Sequence, residues 1–156
     1  MLISTLRLKK LNKFIKIIMN KQVPECFYRI SVKALILDDK KRFLLSKEKN
    51  GKWELPGGGL IFGEKPQDCL KREIKEEMGI EVISIEDNPC YFLTSQKQDG
   101  CWIANIVYLT KVKNLNFTPS DECVEVRFFN KEKALKEKLF SSIKDFVAMY
   151  DEKNIN

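Results

Sequence analysis

Three glutamates, Glu73, Glu76 and Glu77, stand at positions i, i+3 and i+4 of one short stretch, with Arg72 beside them. On a helix they fall within a sector of about 100°. In solvent such carboxylates repel one another by only about 0.2–0.5 kcal/mol per pair. The pattern by itself therefore reads either as a solvated acidic face or as a holder for a hard cation. Just upstream the chain runs Trp53-Glu54-Leu55-Pro56 into Gly57, Gly58 and Gly59, followed by Gly63-Glu64. A glycine-rich loop lets backbone carbonyls and amides approach a ligand that a Cβ would block. Hard oxygen ligands beside such a loop suit Mg²⁺, which takes a few carboxylates and shares the phosphates of a substrate. If the stretch does chemistry, the residue types suit holding a divalent cation against the phosphates of a ligand.

A helix must carry these carboxylates, and its limits can be read from the residues. Pro66 suits a first helical turn, where its missing N–H costs nothing. Gly79 suits the left-handed residue that ends a helix. Between them Leu70, Ile74 and Met78 make an apolar stripe that has to pack on something, while Asp68, Lys71 and Lys75 point to water. Lys65 stands where a capping Ser, Thr or Asp would hold the first turn more firmly. Cys69 shares the carboxylate face. As a soft thiolate it suits Mg²⁺ poorly, so a small packed residue beneath the site is the better reading.

Gly58, Glu64 and the run Arg72-Glu73-Ile74-Lys75-Glu76-Glu77-Met78-Gly79-Ile80 together resemble the signature of the Nudix hydrolase family at every defined position. The resemblance implies an α/β fold, an α/β/α sandwich with a mixed, curved β-sheet and a catalytic loop–helix–loop. It implies a hydrolase that opens a diphosphate linked to a nucleoside, with Mg²⁺ as cofactor and Mn²⁺ as a substitute. By position Glu76 and Glu77 resemble the principal metal ligands. Glu73 resembles a carboxylate that shares the metal and serves as base. Arg72 would orient Glu73, Glu64 would support the site from the loop, and the Gly57 carbonyl would complete the metal shell. An alternative for Glu64 and Arg72 is a salt bridge that only ties the loop to the helix. Small bacterial mutator-type nucleoside triphosphate pyrophosphohydrolases are the members most resembled. The alternatives are hydrolases of ADP-ribose, nucleotide sugars or RNA 5′ ends, and a non-catalytic nucleotide-binding module.

Outside the signature the residues are less specific. Lys47 and Lys49 precede Trp53 and are placed to reach substrate phosphates, or to stay solvated. Gly58 lies where a substrate would approach the loop. Glu125 is the candidate for a further metal-site role, while Asp121 and Glu122 are candidates for reading a nucleobase edge. Tyr28, Phe27, Phe92 and Trp53 offer rings for stacking, although each also serves as ordinary core.

Composition narrows the chemistry. The 156 residues contain no histidine, which removes histidine-based acid–base and nucleophilic catalysis. Five cysteines, with no Cys-x-x-Cys pair, suit neither a zinc site nor a disulfide framework and fit reduced thiols in a cytoplasmic protein. The net charge of +6 is concentrated at one end. Residues 1–18 carry Arg7, Lys9, Lys10, Lys13 and Lys16 and no acid, which leaves a balance of only +1 for the rest. A body so close to neutral favours a small nucleotide partner over a stably bound nucleic acid. No apolar run is long enough for a membrane span, and oligomeric state is not indicated.

Residues 1–20 form a basic amphipathic extension, with Leu8, Leu11, Ile15 and Ile18 on one side. It reads as a membrane-surface or targeting helix, as a helix packed on the domain, or as a stretch upstream of a natural start at Met19. Residues 21–156 read as a single domain. Phe27–Leu37 and Arg42–Ser46 look like the strands of a hairpin about Asp38-Asp39-Lys40-Lys41. Strands are also expected at Glu81–Ile85, at Tyr91–Ser95 after a break at Asp87-Asn88-Pro89, at Trp102–Thr110 and at Val124–Phe129. Helices are expected at Lys131–Lys138 and Phe140–Tyr150.

Overall fold

The computed structural model describes residues 27–155. The basic extension of residues 1–20 and the alternative start at Met19 lie outside them. Within them run strands β1 (Arg29–Leu35), β2 (Phe43–Lys47) and β3 (Trp53–Glu54), then helix α1 (Pro66–Met78). Strands β4 (Val82–Ile85), β5 (Tyr91–Gln96), β6 (Trp102–Val112) and β7 (Glu125–Phe129) follow. Helices α2 (Lys131–Ala134) and α3 (Ser141–Met149) and a 3₁₀ turn at Glu152–Asn154 complete them.

The apolar run at Trp102 becomes the central strand of a mixed sheet. On one edge of β6, β1 runs parallel, from Arg29 opposite Ile103 to Leu35 opposite Leu109. Its other edge is shared by two antiparallel strands: β5 pairs along Trp102–Val107 and β4 along Thr110–Val112. The expected break at Asp87-Asn88-Pro89 separates these two strands. A second sheet, in the order β3-β2-β7, is antiparallel throughout.

The expected β1–β2 hairpin forms only at its turn. Asp38 accepts from the Lys40 and Arg42 amides at 3.0 and 2.9 Å, and Leu37 bridges Phe43. Beyond that bridge the two strands part into different sheets. The parallel partner β6 takes the edge of β1, and β7 takes that of β2. The helix expected over Lys131–Lys138 is also shorter, ending after Ala134.

Two cores lie on opposite sides of the mixed sheet. Val32, Ala34, Ile36 and Tyr108 meet α1 through Cys69, Leu70, Ile74 and Met78. On the other side Leu35, Leu93 and Val107 join Trp53, Phe43 and Phe129 of the second sheet and Ile143, Phe146 and Val147 of α3. Trp53 is fully buried, edge-on to Phe129 at 4.9 Å, so it is core and not a base-stacking ring. Helix α1 starts at Pro66 without a side-chain cap from Lys65, as its residue type implies. It ends at Gly79 (φ +67°), whose N–H returns to the Lys75 carbonyl at 2.9 Å.

Candidate active site

The glycine loop lies along the free edge of β1. The Ala34 amide donates to the Pro56 carbonyl and the Val32 amide to the Gly58 carbonyl, both at 2.8 Å, while the Leu60 amide donates to Ile30 at 3.1 Å. Two glycines are required there for different reasons. Gly57 has φ +118°, and a Cβ would lie 2.3 Å from the Val32 carbonyl oxygen. At Gly58 a Cβ would lie 2.5 Å from the carboxylate of Glu73. The loop therefore leaves room for that carboxylate where any other residue would displace it.

Arg72 organises the acidic face of α1. Its Nε and Nη2 donate to the two oxygens of Glu64 at 2.9 Å each, a fork-to-fork pair. Its Nη1 donates to Glu73 at 2.6 Å and to Glu76 at 3.3 Å. Glu64 also accepts from the Ile61 amide at 3.3 Å. The Arg72 guanidinium holds the Glu64 carboxyl down to about 2, and the two carboxylates in turn raise the pKa of Arg72. Cys69, fully buried beneath this frame, has its thiol pushed up to about 12 by burial, and carboxylates beside it add to the rise. It is an inert packed residue.

Glu77 faces the other way, accepting from the Gly57 amide at 3.2 Å. Burial pushes its carboxyl up to about 7. Lys33 and the Gly57 amide work against that rise, whereas Glu73 and Glu54 add to it. The Gly57 carbonyl, expected in the metal shell, accepts from Lys33 Nζ at 2.5 Å. Lys33 is 5% exposed and also pairs with Glu54 at 2.8 Å. Neither Lys33 nor Glu54 belongs to the signature, and neither stands out as a site residue in the sequence. The available signal was a lone lysine inside the aliphatic run of β1.

The carboxylates are thus drawn two ways, Glu73 and Glu76 towards Arg72 and Glu77 towards Gly57. Among the described residues no three acidic or thiol groups are gathered into a ready-made cation cage. The donors still fit Mg²⁺. All are hard oxygens, and Glu77, pushed up chiefly by burial with Glu73 and Glu54 adding to the rise, is a carboxylate that a bound cation would stabilise in its charged form.

Beside Glu77 opens a cleft of about 370 Å³ whose charged lining is Glu48, Glu54, Glu77, Asp121, Glu122 and Lys49. Lys49 is tied to Asp121 at 2.5 Å. Lys47 lies 3.3 Å from Glu125, which also pairs with Arg127. Lys47, Glu125, Gly58 and Tyr28 are not among the lining residues. The Tyr28 ring packs edge-on against Trp102 at 6.0 Å. Phe27 and Phe92 are exposed.

A mixed sheet between α1 and α3, with a glycine loop on its edge and an arginine binding several glutamates, defines a class of protein. The NUDIX domain matches residues 27–150, and the chain belongs to the NUDIX family. The crystal structure of the MutT protein from Methanosarcina mazei Go1 shares the fold at a TM-score of 0.71 and 29% identity, over 85% of this chain and 99% of that one. An RNA pyrophosphohydrolase of Ruthia magnifica subsp. Calyptogena magnifica is 48% identical over 61 residues, which is 37% of this chain and 34% of that protein. Nucleoside triphosphatase NudI of Escherichia coli O139:H28 (strain E24377A / ETEC) is 43% identical over 42 residues, 27% of this chain and 30% of its own length. The chain thus spans about a third of the length of these curated relatives. Among the described residues no helix is long and apolar enough to cross a membrane.

Proposed function

We propose that the protein is a Mg²⁺-dependent pyrophosphohydrolase that cleaves a free nucleoside triphosphate to the monophosphate and pyrophosphate. The observation that carries this reading is the frame in which one arginine ties Glu64 of the loop to Glu73 and Glu76 of α1, with Glu77 set against Gly57. Glu73, Glu76, Glu77 and the Gly57 carbonyl would hold Mg²⁺, or Mn²⁺ in its place, supported by Glu64. When bound, the ion would offset the charge of adjacent phosphates and acidify the attacking water. Arg72 fixes the Glu73 carboxylate through a charge-assisted bond, so Glu73 is held in one orientation to accept the proton of that water. The water oxygen bonds to phosphorus, the bond from that phosphorus to the bridging oxygen breaks, and the monophosphate and pyrophosphate separate.

Substrate size follows from charge. The relatives named above include both an RNA pyrophosphohydrolase and a nucleoside triphosphatase. A protein that grips an RNA chain must contact several phosphates. Here the cleft beside Glu77 is lined by five carboxylates against one lysine, and that lysine is already paired. A mononucleotide asks less of it: metal for its phosphates, and Asp121 or Glu122 to accept from a base amino group. The test is kcat/KM for nucleoside triphosphates and for 5′-triphosphorylated RNA at low and moderate salt. Preference for the free nucleotide is expected. Faster, strongly salt-sensitive cleavage of the RNA end would overturn the choice.

A further inference from the structure

Lys33 is an unusual residue for its place. It sits at the centre of β1, is 5% exposed, and points its ammonium between the glycine loop and β3. A buried lysine must be paired, and this one has two oxygen partners: Gly57 O at 2.5 Å and Glu54 Oε1 at 2.8 Å. One of them is the same carbonyl that would complete the Mg²⁺ shell. A divalent ion bonds an oxygen at about 2.1 Å. An ammonium and a divalent ion on one carbonyl would therefore lie only a few ångströms apart inside a protein, where like charges repel strongly. They cannot share Gly57 comfortably.

We propose that Lys33 is the built-in counter-cation of the metal-free site, and that a divalent ion binds only by displacing its ammonium from the Gly57 carbonyl. The inference rests on the metal reading of Gly57 and Glu77 given above. Lys33 has somewhere to go, because Glu54 holds it independently of Gly57. The side chain thus does two things for the site. It satisfies the carbonyl and offsets the neighbouring carboxylates before metal arrives, and it lowers the affinity with which bare metal binds. Lys33 is a positioning residue that tunes the metal site, not a ligand.

The test is calorimetric titration of Mn²⁺ into the full chain, for the wild type, K33M and E77Q. Methionine keeps the length and the apolar stem of lysine and removes the charge. K33M is expected to bind Mn²⁺ about tenfold more tightly or better than the wild type, with a correspondingly larger rise in melting temperature on adding the ion. A lysine that merely braced the fold, or helped to place the ligands, would leave the affinity unchanged or weaken it on removal. Either result would overturn the proposal. E77Q separates the two levels of the argument. Mn²⁺ binding that E77Q retains at wild-type strength would overturn the metal reading and this inference with it. Binding that E77Q loses, but that K33M does not tighten, would overturn the role of Lys33 alone. If K33M does not fold, K33Q reads the same loss of charge with a polar side chain.

Discussion

Replacing Glu77 with glutamine should make the metal-free protein more stable at pH 8 while destroying its response to Mg²⁺. The folded protein raises the Glu77 carboxyl from 4.5 to about 7, chiefly by burial. An acid whose pKa is raised on folding contributes stability that is complete below about pH 4.5. That contribution is lost as the pH climbs through about 7. At about 1.4 kcal/mol per pH unit, the distance between the two values bounds the loss at about 3 kcal/mol. Glu77 is only half-buried and faces the cleft. Solvent screens part of the cost, and about 1–3 kcal/mol is the expected range. Glutamine keeps the shape and can still accept from the Gly57 amide, while Lys33 keeps Glu54 as its counter-charge. Urea unfolding in EDTA at pH 5 and pH 8 measures the effect. The wild type should lose stability between the two that E77Q does not lose, and E77Q should be the more stable at pH 8. Mg²⁺ should then restore the wild type and leave E77Q unchanged. An E77Q protein less stable than the wild type at pH 8 without metal would refute the reasoning.

Three further predictions concern turnover. E76Q should lower kcat by about 10²–10³-fold with the circular dichroism unchanged, because the half-exposed Glu76 contributes charge to the site and nothing to the core. G58A should fold, since the atoms nearest its Cβ are the movable end of Glu73 at 2.5 Å, yet lose activity as that carboxylate is displaced. R72K should reduce kcat more than it changes KM. An ammonium cannot hold both oxygens of Glu64 and reach Glu73 as the guanidinium does. Steady-state kinetics on the purified variants check all three.

The parts of the site that could be read from the sequence are those set by local physics. Helix α1 begins at Pro66 and ends at Gly79 because those residues have few other uses, and its stripe of Leu70, Ile74 and Met78 is fully buried. Arg72 meets Glu76 because residues one turn apart share a helix face, and its long side chain also reaches the adjacent Glu73. What could not be read depends on long-range pairing. Asp38 does build the turn its type suggests, but whether β1 then pairs with β2 or with β6 is decided about 70 residues further along the chain. The parallel pairing makes β1 interior, and this turns Lys33 from an ordinary strand lysine into a buried cation. Its partner Glu54 lies 21 residues away in sequence, beyond any local pattern. Tyr28 likewise sits beside Trp102 only because β1 and β6 are neighbours.

The hydrogen bonds that fasten Pro56 and Gly58 to β1 also determine how the site comes apart. Loops usually open far more readily than the sheets they decorate. This one is the last member of a sheet, and the amides of Val32 and Ala34 that it caps belong to a strand with neighbours on both sides. Exchange of those two protons with solvent requires β1 to lose its glycine edge, which also takes Gly57 away from Glu77. Protection of those two amides therefore reports attachment of the glycine loop to β1 and, with it, the contact of Gly57 with Glu77.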